Sequence, residues 1–179
     1  MAGSCEEIVL SGGVRVPVRE VRPADAPALR RLVGRLSANS IYMRYFGHMK
    51  GLSEEQARRF AEVDGQDRYA LVALDPESEG EILGVARYER ERAGGEEAEY
   101  AIIVEDRVQG RGIGSALTRE LVEGARRRGV RRLCAVILPE NKSMLKLLGD
   151  LGLPEDVRWE AGVECVTVHL YPEDVKRAS

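Results

Sequence analysis

Residues 97–129, EAEYAIIVEDRVQGRGIGSALTRELVEGARRRG, constrain the fold more than any other stretch of the chain. Tyr100 to Val104 is an apolar run of strand length, and Glu105-Asp106-Arg107 is a short polar turn. Gln109-Gly110-Arg111-Gly112-Ile113-Gly114 then opens a long amphipathic segment. Within it Ile113, Ala116, Leu117, Leu121 and Ala125 fall on one helical face, and Gly129 supplies a stop. A strand, a glycine-rich turn and a helix in succession aim backbone amides beyond the helix N-terminus. Those first N–H groups lack helical partners and the macrodipole favours negative charge, so the turn suits a phosphate group. Glycine at 110, 112 and 114 allows close approach and positive φ.

Several ligands compete for such a turn. A Walker A loop needs Gly-Lys-Ser/Thr after four intervening residues, and no lysine occurs here. A dinucleotide fingerprint needs Gly-x-Gly-x-x-Gly. From Gly110 the last place falls on Ser115, and from Gly112 on Leu117, with no second βαβ unit around the strand. An acyl-CoA turn, Gln/Arg-x-x-Gly-x-Gly/Ala, is met by Gln109, Gly112 and Gly114. A glycine-rich connection without any ligand is the plain alternative. On the Gln109–Gly114 pattern, with its flanking strand and helix, the stretch resembles the GNAT superfamily of acetyl-CoA-dependent N-acetyltransferases.

The chain has 179 residues, enough for one domain with a substantial core. With 44% hydrophobic and 32% charged residues it reads as an ordinary globular protein. A net charge of −3 gives no electrostatic case for nucleic acid or membrane partners. No apolar run reaches a membrane span, and MAGSCEE lacks a signal-peptide pattern, so a cytoplasmic location is expected. Cys5, Cys134 and Cys165 are odd in number and have no paired spacing, which argues against disulfides or a zinc site. No metal is expected.

The rest of the chain falls into short elements. Gly12-Gly13 between two alternating runs predicts a hairpin, and Pro17 in its second arm predicts an edge strand. A helix follows Pro23 to Pro27, with Leu29, Leu32, Val33 and Leu36 at helical spacing. Ser37 or Asn39 caps a second, short helix whose Ile41, Tyr42, Tyr45 and Phe46 are expected mainly in the core, with a substrate groove wall as the alternative. Ser53-Glu54-Glu55-Gln56 is a capping box opening a third. Strands are predicted at 68–75, 81–92, 97–104 and 131–138, a helix led into by Pro139 to Ser143 and running through about Leu151, and a hairpin around Glu160-Ala161-Gly162. The third and fourth of these strands are joined as a parallel pair by the long helix. The whole predicts an α/β domain with a mixed, mostly antiparallel sheet flanked by helices.

That order looks like the complete GNAT fold over about residues 14–172, and implies a single N-acetyltransferase domain in residues 1–179. SANSIYMRYFGHMKGLSEEQARRF and LPENKSMLKLLGDLGL resemble the bacterial protein lysine acetyltransferase (Pat-type) branch. The resemblance implies acetyl-CoA as co-substrate, its pantetheine lying between the strands at 97–104 and 131–138. Backbone groups of Ile102, Ile103 and Val104 are implied to hold the pantetheine. Amides of Gln109, Gly110, Arg111, Gly112, Ile113 and Gly114, with Ser115, are implied to hold the pyrophosphate, and Asn141 is implied near the cofactor. Glu99 matches the branch's general base, and Glu97 competes with it on the same strand face. The branch also implies a protein lysine as acceptor. A small amine acceptor, or a non-catalytic acyl-CoA-binding module, stays open, as does a homodimer. Many GNAT enzymes have a tyrosine acting as general acid after the asparagine; counting from Asn141, that place is Leu148.

Four other groups invite a role. His48, in a loop, and His169, in an alternating strand, are expected to be solvated or packed. Cys134 is expected to be an inert strand thiol. Arg126, Arg127, Arg128, Arg131 and Arg132 either meet the cofactor's 3′-phosphate or simply suit a helix C-terminus.

Overall fold

The computed structural model describes residues 6–173, so Cys5 lies outside the described residues. Strands β1 (Glu6–Val9) and β2 (Arg15–Glu20) form the first hairpin. Gly12 and Gly13 turn it with φ of 103° and 81°, a region closed to most side chains. Helix α1 (Ala26–Gly34) buries Leu29, Leu32 and Val33. Helix α2 (Ala38–Tyr45) is capped by Ser37, whose Oγ accepts from the Ser40 N–H at 3.1 Å. Helix α3 (Glu54–Ala61) carries the expected box: Gln56 N–H donates to Ser53 Oγ at 3.1 Å, and Ser53 N–H to Gln56 Oε1 at 2.8 Å.

Then come β3 (Arg68–Leu74), β4 (Ile82–Arg90) and β5 (Glu97–Val104), a continuous antiparallel meander. Helix α4 (Ile113–Arg127) crosses to β6 (Arg132–Ile137), which is parallel to β5. Helix α5 (Lys142–Gly149) and the hairpin β7 (Glu155–Glu160) and β8 (Val163–His169) complete the chain. The eight strands run β1-β2-β3-β4-β5-β6-β8-β7 across one sheet, as the mixed, mostly antiparallel prediction requires.

Each face of the sheet has its own core, because alternation sends neighbouring side chains to opposite sides. Tyr88, Ala98 and Tyr100 meet Leu117, Leu121 and Ala125 of α4 on one face. Val72, Ile82 and Ile103 meet Leu29, Leu32 and Ala57 of α1 and α3 on the other. Helix α4 lies close on β3: a Cβ added at Gly124 would stand 2.6 Å from Tyr69 Cε1.

Two expectations are corrected. Pro17 is not on an edge strand, since β2 lies between β1 and β3. Its missing N–H is tolerated because the β2–β3 ladder begins only at Val18. The α2 aromatics are not mainly core: Ile41 is buried, but Tyr42 and Phe46 are 36% and 45% exposed. The helix has little more than two turns, and only Ile41 among its apolar residues is buried. Its start is pinned instead to the turn after β5, where Asp106 accepts from Ser37 N–H (3.0 Å), Ser37 Oγ (2.8 Å) and Ser40 Oγ (2.7 Å).

Candidate active site

The site begins where the two parallel strands part. Strands β5 and β6 pair at only three positions, Glu97–Arg132, Ala98–Leu133 and Glu99–Cys134. Beyond them β5 stays with β4 to Val104, while β6 stays with β8 to Ile137. The β6-facing edge of β5 from Tyr100 onward therefore has no strand partner, and its backbone polar groups are open to a ligand. The fork is a cleft of about 600 Å³, lined by β5, the glycine turn, the start of α5 and one side of α2. That volume suits a small-molecule ligand.

Gln109, Gly110, Gly112, Gly114 and Ser115 line the cleft. Gly112 caps α4 from the left-handed region at φ 95°, and its carbonyl accepts from the Ala116 N–H at 3.0 Å. The N–H groups of Ile113, Gly114 and Ser115 are then the helix's first donors without a helical acceptor. A Cβ at Gly114 would approach Leu147 Cδ1 to 3.1 Å, so bare backbone is what fits between α4 and α5. The side chains of Arg111 and Ile113 do not line the cleft: Arg111 is exposed and Ile113 is 1% exposed in the core, leaving only their backbone for a ligand.

Ile102, Ile103 and Val104 also line it. Here one expectation is narrowed. Gln109 Nε2 donates to the Val104 carbonyl at 2.9 Å, so that carbonyl is already satisfied from within the chain. Gln109 thus ties the turn to the end of β5. Asn141 lines the cleft as the N-cap of α5, its Oδ1 accepting from the Met144 N–H at 3.1 Å.

Glu99 is exposed, lines the cleft, and makes no hydrogen bond or ion pair among the described residues. Its Cα partners are Glu89 on β4 and Cys134 on β6, so it is the last β5 residue before the fork. Glu97, its competitor, does not line the cleft. It accepts from Cys134 Sγ at 3.2 Å and from Arg132 Nε at 3.1 Å, and these two hydrogen bonds hold its carboxyl below the ordinary range. The geometry separates two glutamates that sequence alone leaves in competition.

Other groups have structural duties. Leu148, at the expected tyrosine position, is 2% exposed and packs in the core. Tyr100 has its hydroxyl 2.7 Å from Thr118 Oγ1, which donates in turn to the Gly114 carbonyl. Burial raises that phenol well above its ordinary value. Cys134 is pushed up to about 11 by burial, which leaves it inert as a nucleophile. His169 Nε2 lies 2.8 Å from Asp156 Oδ2, and the His48 ring is 6.2 Å from that of Tyr42. The arginine cluster sits at the C-terminal end of α4, roughly 22 Å from the turn along a 15-residue helix. Arg126 donates to the Leu170 carbonyl, Arg128 stacks on Tyr69 at 3.8 Å, and Arg132 pairs with Glu97, so these three are engaged away from the glycine turn.

Sequence reasoning missed Arg44 and Met43 of α2 and Lys142 and Lys146 of α5 as lining residues. Only the polar–aromatic mixture of SANSIYMRYF hinted at the first pair. Among the described residues no group of acidic, histidine or cysteine side chains is placed to hold a metal ion, and no helix is long and apolar enough to cross a membrane.

The sequence model of the acetyltransferase (GNAT) domain family matches residues 15–154. The chain belongs to the GNAT acetyltransferase family. An acetyltransferase of Pseudomonas aeruginosa is 32% identical over 145 residues, 80% of this chain and 77% of that one. The acetyltransferase Pat of Mycolicibacterium smegmatis is 32% identical over 157 residues, 88% of this chain but 46% of its own length. This GNAT chain therefore spans about half of that relative. The GNAT domain of S. lividans PAT superposes with a TM-score of 0.84 at 35% identity, covering 92% of this chain and 96% of that domain. The Pat-type resemblance and the fold expected from the order of elements are thus both the ones found. In this GNAT acetyltransferase the forked β5–β6 pair and the turn before α4 form one continuous cleft.

Proposed function

We propose that this GNAT acetyltransferase moves the acetyl group of acetyl-CoA to a primary amine, a protein lysine side chain first among acceptors, with Glu99 as general base. The observation that carries this reading is Glu99 itself, a carboxylate without a partner at the mouth of the fork. In this reading the free β5 edge at Ile102 and Ile103 holds the pantetheine, and the amides of the turn from Gln109 to Gly114, with Ser115, take the pyrophosphate. Asn141 keeps its side-chain N–H groups for the cofactor, since capping uses its oxygen.

A lysine amine has a reference pKa near 10.4, so freeing its lone pair at pH 7 costs about 4.6 kcal/mol. Glu99 takes that proton, directly or through one water. The amine nitrogen then bonds to the thioester carbon, a β5 amide supports the developing oxyanion, and the carbon–sulfur bond breaks to release the thiolate. With Leu148 in the core, the thiolate takes its proton from solvent through the open cleft. The single domain is proposed to act in the cytoplasm, with the acceptor protein as its partner.

The experiment is calorimetric titration with acetyl-CoA, then thiol release against lysine proteins, amino acids and polyamines. Binding with turnover on lysine proteins is the expected result. Turnover on small amines alone transfers the acceptor assignment to them, and binding without turnover replaces the enzyme reading by a sensor.

A further inference from the structure

A second, smaller cavity of about 30 Å³ lies between α1, α2, α3 and the β4–β5 face. A water needs roughly 10–15 Å³ of such space, so the cavity takes a group of two or three heavy atoms. Its walls are mostly apolar, with Leu32, Leu52, Val85 and Ile103 among them. Two guanidinium groups, Arg44 and Arg87, interrupt them. Arg44, Ala101, Ile102 and Ile103 line the main cleft as well, so the cavity adjoins it across these four residues.

Arg87 stands opposite Ala101 in the β4–β5 ladder, and Glu99 is two residues along β5 on the same face. The Arg87 guanidinium lies over Phe60 at 4.5 Å, and that of Arg44 over Tyr45 at 5.0 Å. Neither arginine has a hydrogen bond or ion pair among the described residues. This contrasts with Arg19 on Asp25, Arg90 on Asp67 and Arg107 on Asp75, each within 2.8 Å of its acid. The charges nearest Arg87 do not answer its need. Glu89 is shared with Arg59 at 3.7 Å, Arg68 is paired with Asp64 at 3.6 Å, and Arg44 repels it. Burial first, then Arg44, pushes the Arg87 guanidinium down to about 10, so it stays charged at neutral pH. Both arginines are half-buried and repel one another across the cavity, and an anion placed between them would relieve that repulsion.

Resting on the acyl-transfer reading above, we propose that Arg44 and Arg87 form a carboxylate subsite beside the reacting centre. The carboxylate comes from one of two sources: the far end of a dicarboxylic acyl chain on coenzyme A, or a small-molecule acceptor that carries a carboxylate beside its amine in place of the protein lysine. Diagonal neighbours across an antiparallel pair are roughly 7–8 Å apart, a span that an amine and a carboxylate on one small molecule, or one short acyl chain, can bridge. Arginine forks suit a carboxylate better than a hydroxyl or a carbonyl.

Calorimetry tests this without turnover. One arm titrates the protein with succinyl-CoA and with butyryl-CoA. The other titrates coenzyme A-saturated protein with an Nε-acetyl amino acid bearing a free carboxylate and with its amide. The wild type should bind the carboxylate member at least about tenfold tighter in one arm, the arm identifying the source. Arg87→Met, which keeps a stem over Phe60, should reduce that ratio to near one, and Arg87→Lys should retain part of it. Arg44→Met should lower the ratio as well. No preference in either arm by the wild type, or a preference untouched in both methionine variants, overturns the subsite. Failure of the acyl-transfer reading is seen separately, as the absence of thiol release from acetyl-CoA.

Discussion

Replacing Glu99 with glutamine removes a charge and a base while leaving shape and length intact. The structure sets the expected size of each effect. Glu99 is exposed and has no partner among the described residues, so its loss should change stability by less than about 0.5 kcal/mol. That is under about 2 °C in Tm for a chain of this size. The sign should lean towards stabilisation, because Glu99 faces Glu89 across the β4–β5 ladder and like charges so placed repel. Acetyl-CoA affinity should be kept, since the turn is at the other end of β5. Turnover at pH 7 should fall by about 10²–10⁴, the usual contribution of a positioned base. The variant must then wait for amine that is already neutral. About 1 lysine in 2,500 is free at pH 7 and about 1 in 25 at pH 9, so its kcat should rise roughly 100-fold over that interval. The wild type should rise much less. Thiol release measured from pH 7 to 9, with calorimetry and a melting curve on the same samples, reads all of this. Wild-type rates in Glu99→Gln, or an equal deficit at both pH values, would refute proton removal by Glu99.

Three further outcomes follow from particular contacts. Gly112→Asp meets no neighbouring atom, but at φ 95° it carries strain of roughly 1–2 kcal/mol and puts a negative charge at the N-terminus of α4, where the pyrophosphate is proposed to sit; acetyl-CoA binding should vanish in calorimetry while the protein stays folded, and unchanged affinity would sink the turn assignment. Gly124→Ala drives a methyl to 2.6 Å from the buried Tyr69 ring; overpacking of about 1–3 kcal/mol should exceed the roughly 1 kcal/mol gain in helix propensity, so Tm should fall, and a rise would mean that Tyr69 has room to move. Asp25 is pushed up by burial, but hydrogen bonds from Arg19 and from the Arg22 N–H outweigh this and hold its carboxyl below its ordinary value. Its contribution is therefore present above the unfolded pKa near 3.8 and lost as pH falls through the folded value. Asp25→Asn should cost about 3 kcal/mol at pH 7 in urea melts and flatten the stability curve below pH 4; an equal loss at pH 3 and pH 7 would contradict that linkage.

Most of the fold was legible because its signals are local. The Gly12-Gly13 hairpin, the Ser53–Gln56 box and the apolar stripe of α4 each lie within one short window of sequence. Pro17 misled because proline reports a missing donor, not which neighbour would have used it; only the ladder's start at Val18 shows that β3 never needed it. The α2 aromatics misled because the start of their helix is held by Asp106, which lies 69 positions beyond Ser37 and is invisible in a local window. In the site, Glu99 and the turn were legible as residue types at a spacing. The sorting of Glu97 from Glu99 was not, because it depends on Arg132 and Cys134, brought alongside by the crossover. The pairing of Arg44 with Arg87 was equally hidden, since they belong to elements 43 positions apart.

One topological step creates both halves of the cleft. The β5–β6 pair is the only parallel pairing among the described strands. A parallel pair needs a crossover, and here the crossover is α4. The helix must start where β5 ends, so its unpaired amides arrive at the carboxyl end of the strand, the general position of ligands in such sheets. When β6 then diverges to follow β8, the β5 edge opens beside those same amides. Glu99 stands at the vertex, paired with β6 for the last time. A slip of one residue in the β4–β5 register would turn Glu99 to the α4 face and bring Tyr100 out. Burial of Ala98 and Tyr100 on the α4 face opposes that slip, and the Tyr100–Thr118–Gly114 chain of hydrogen bonds fastens the strand to the first turn of α4. The buried phenol thus helps to fix which side of β5 the Glu99 carboxylate occupies.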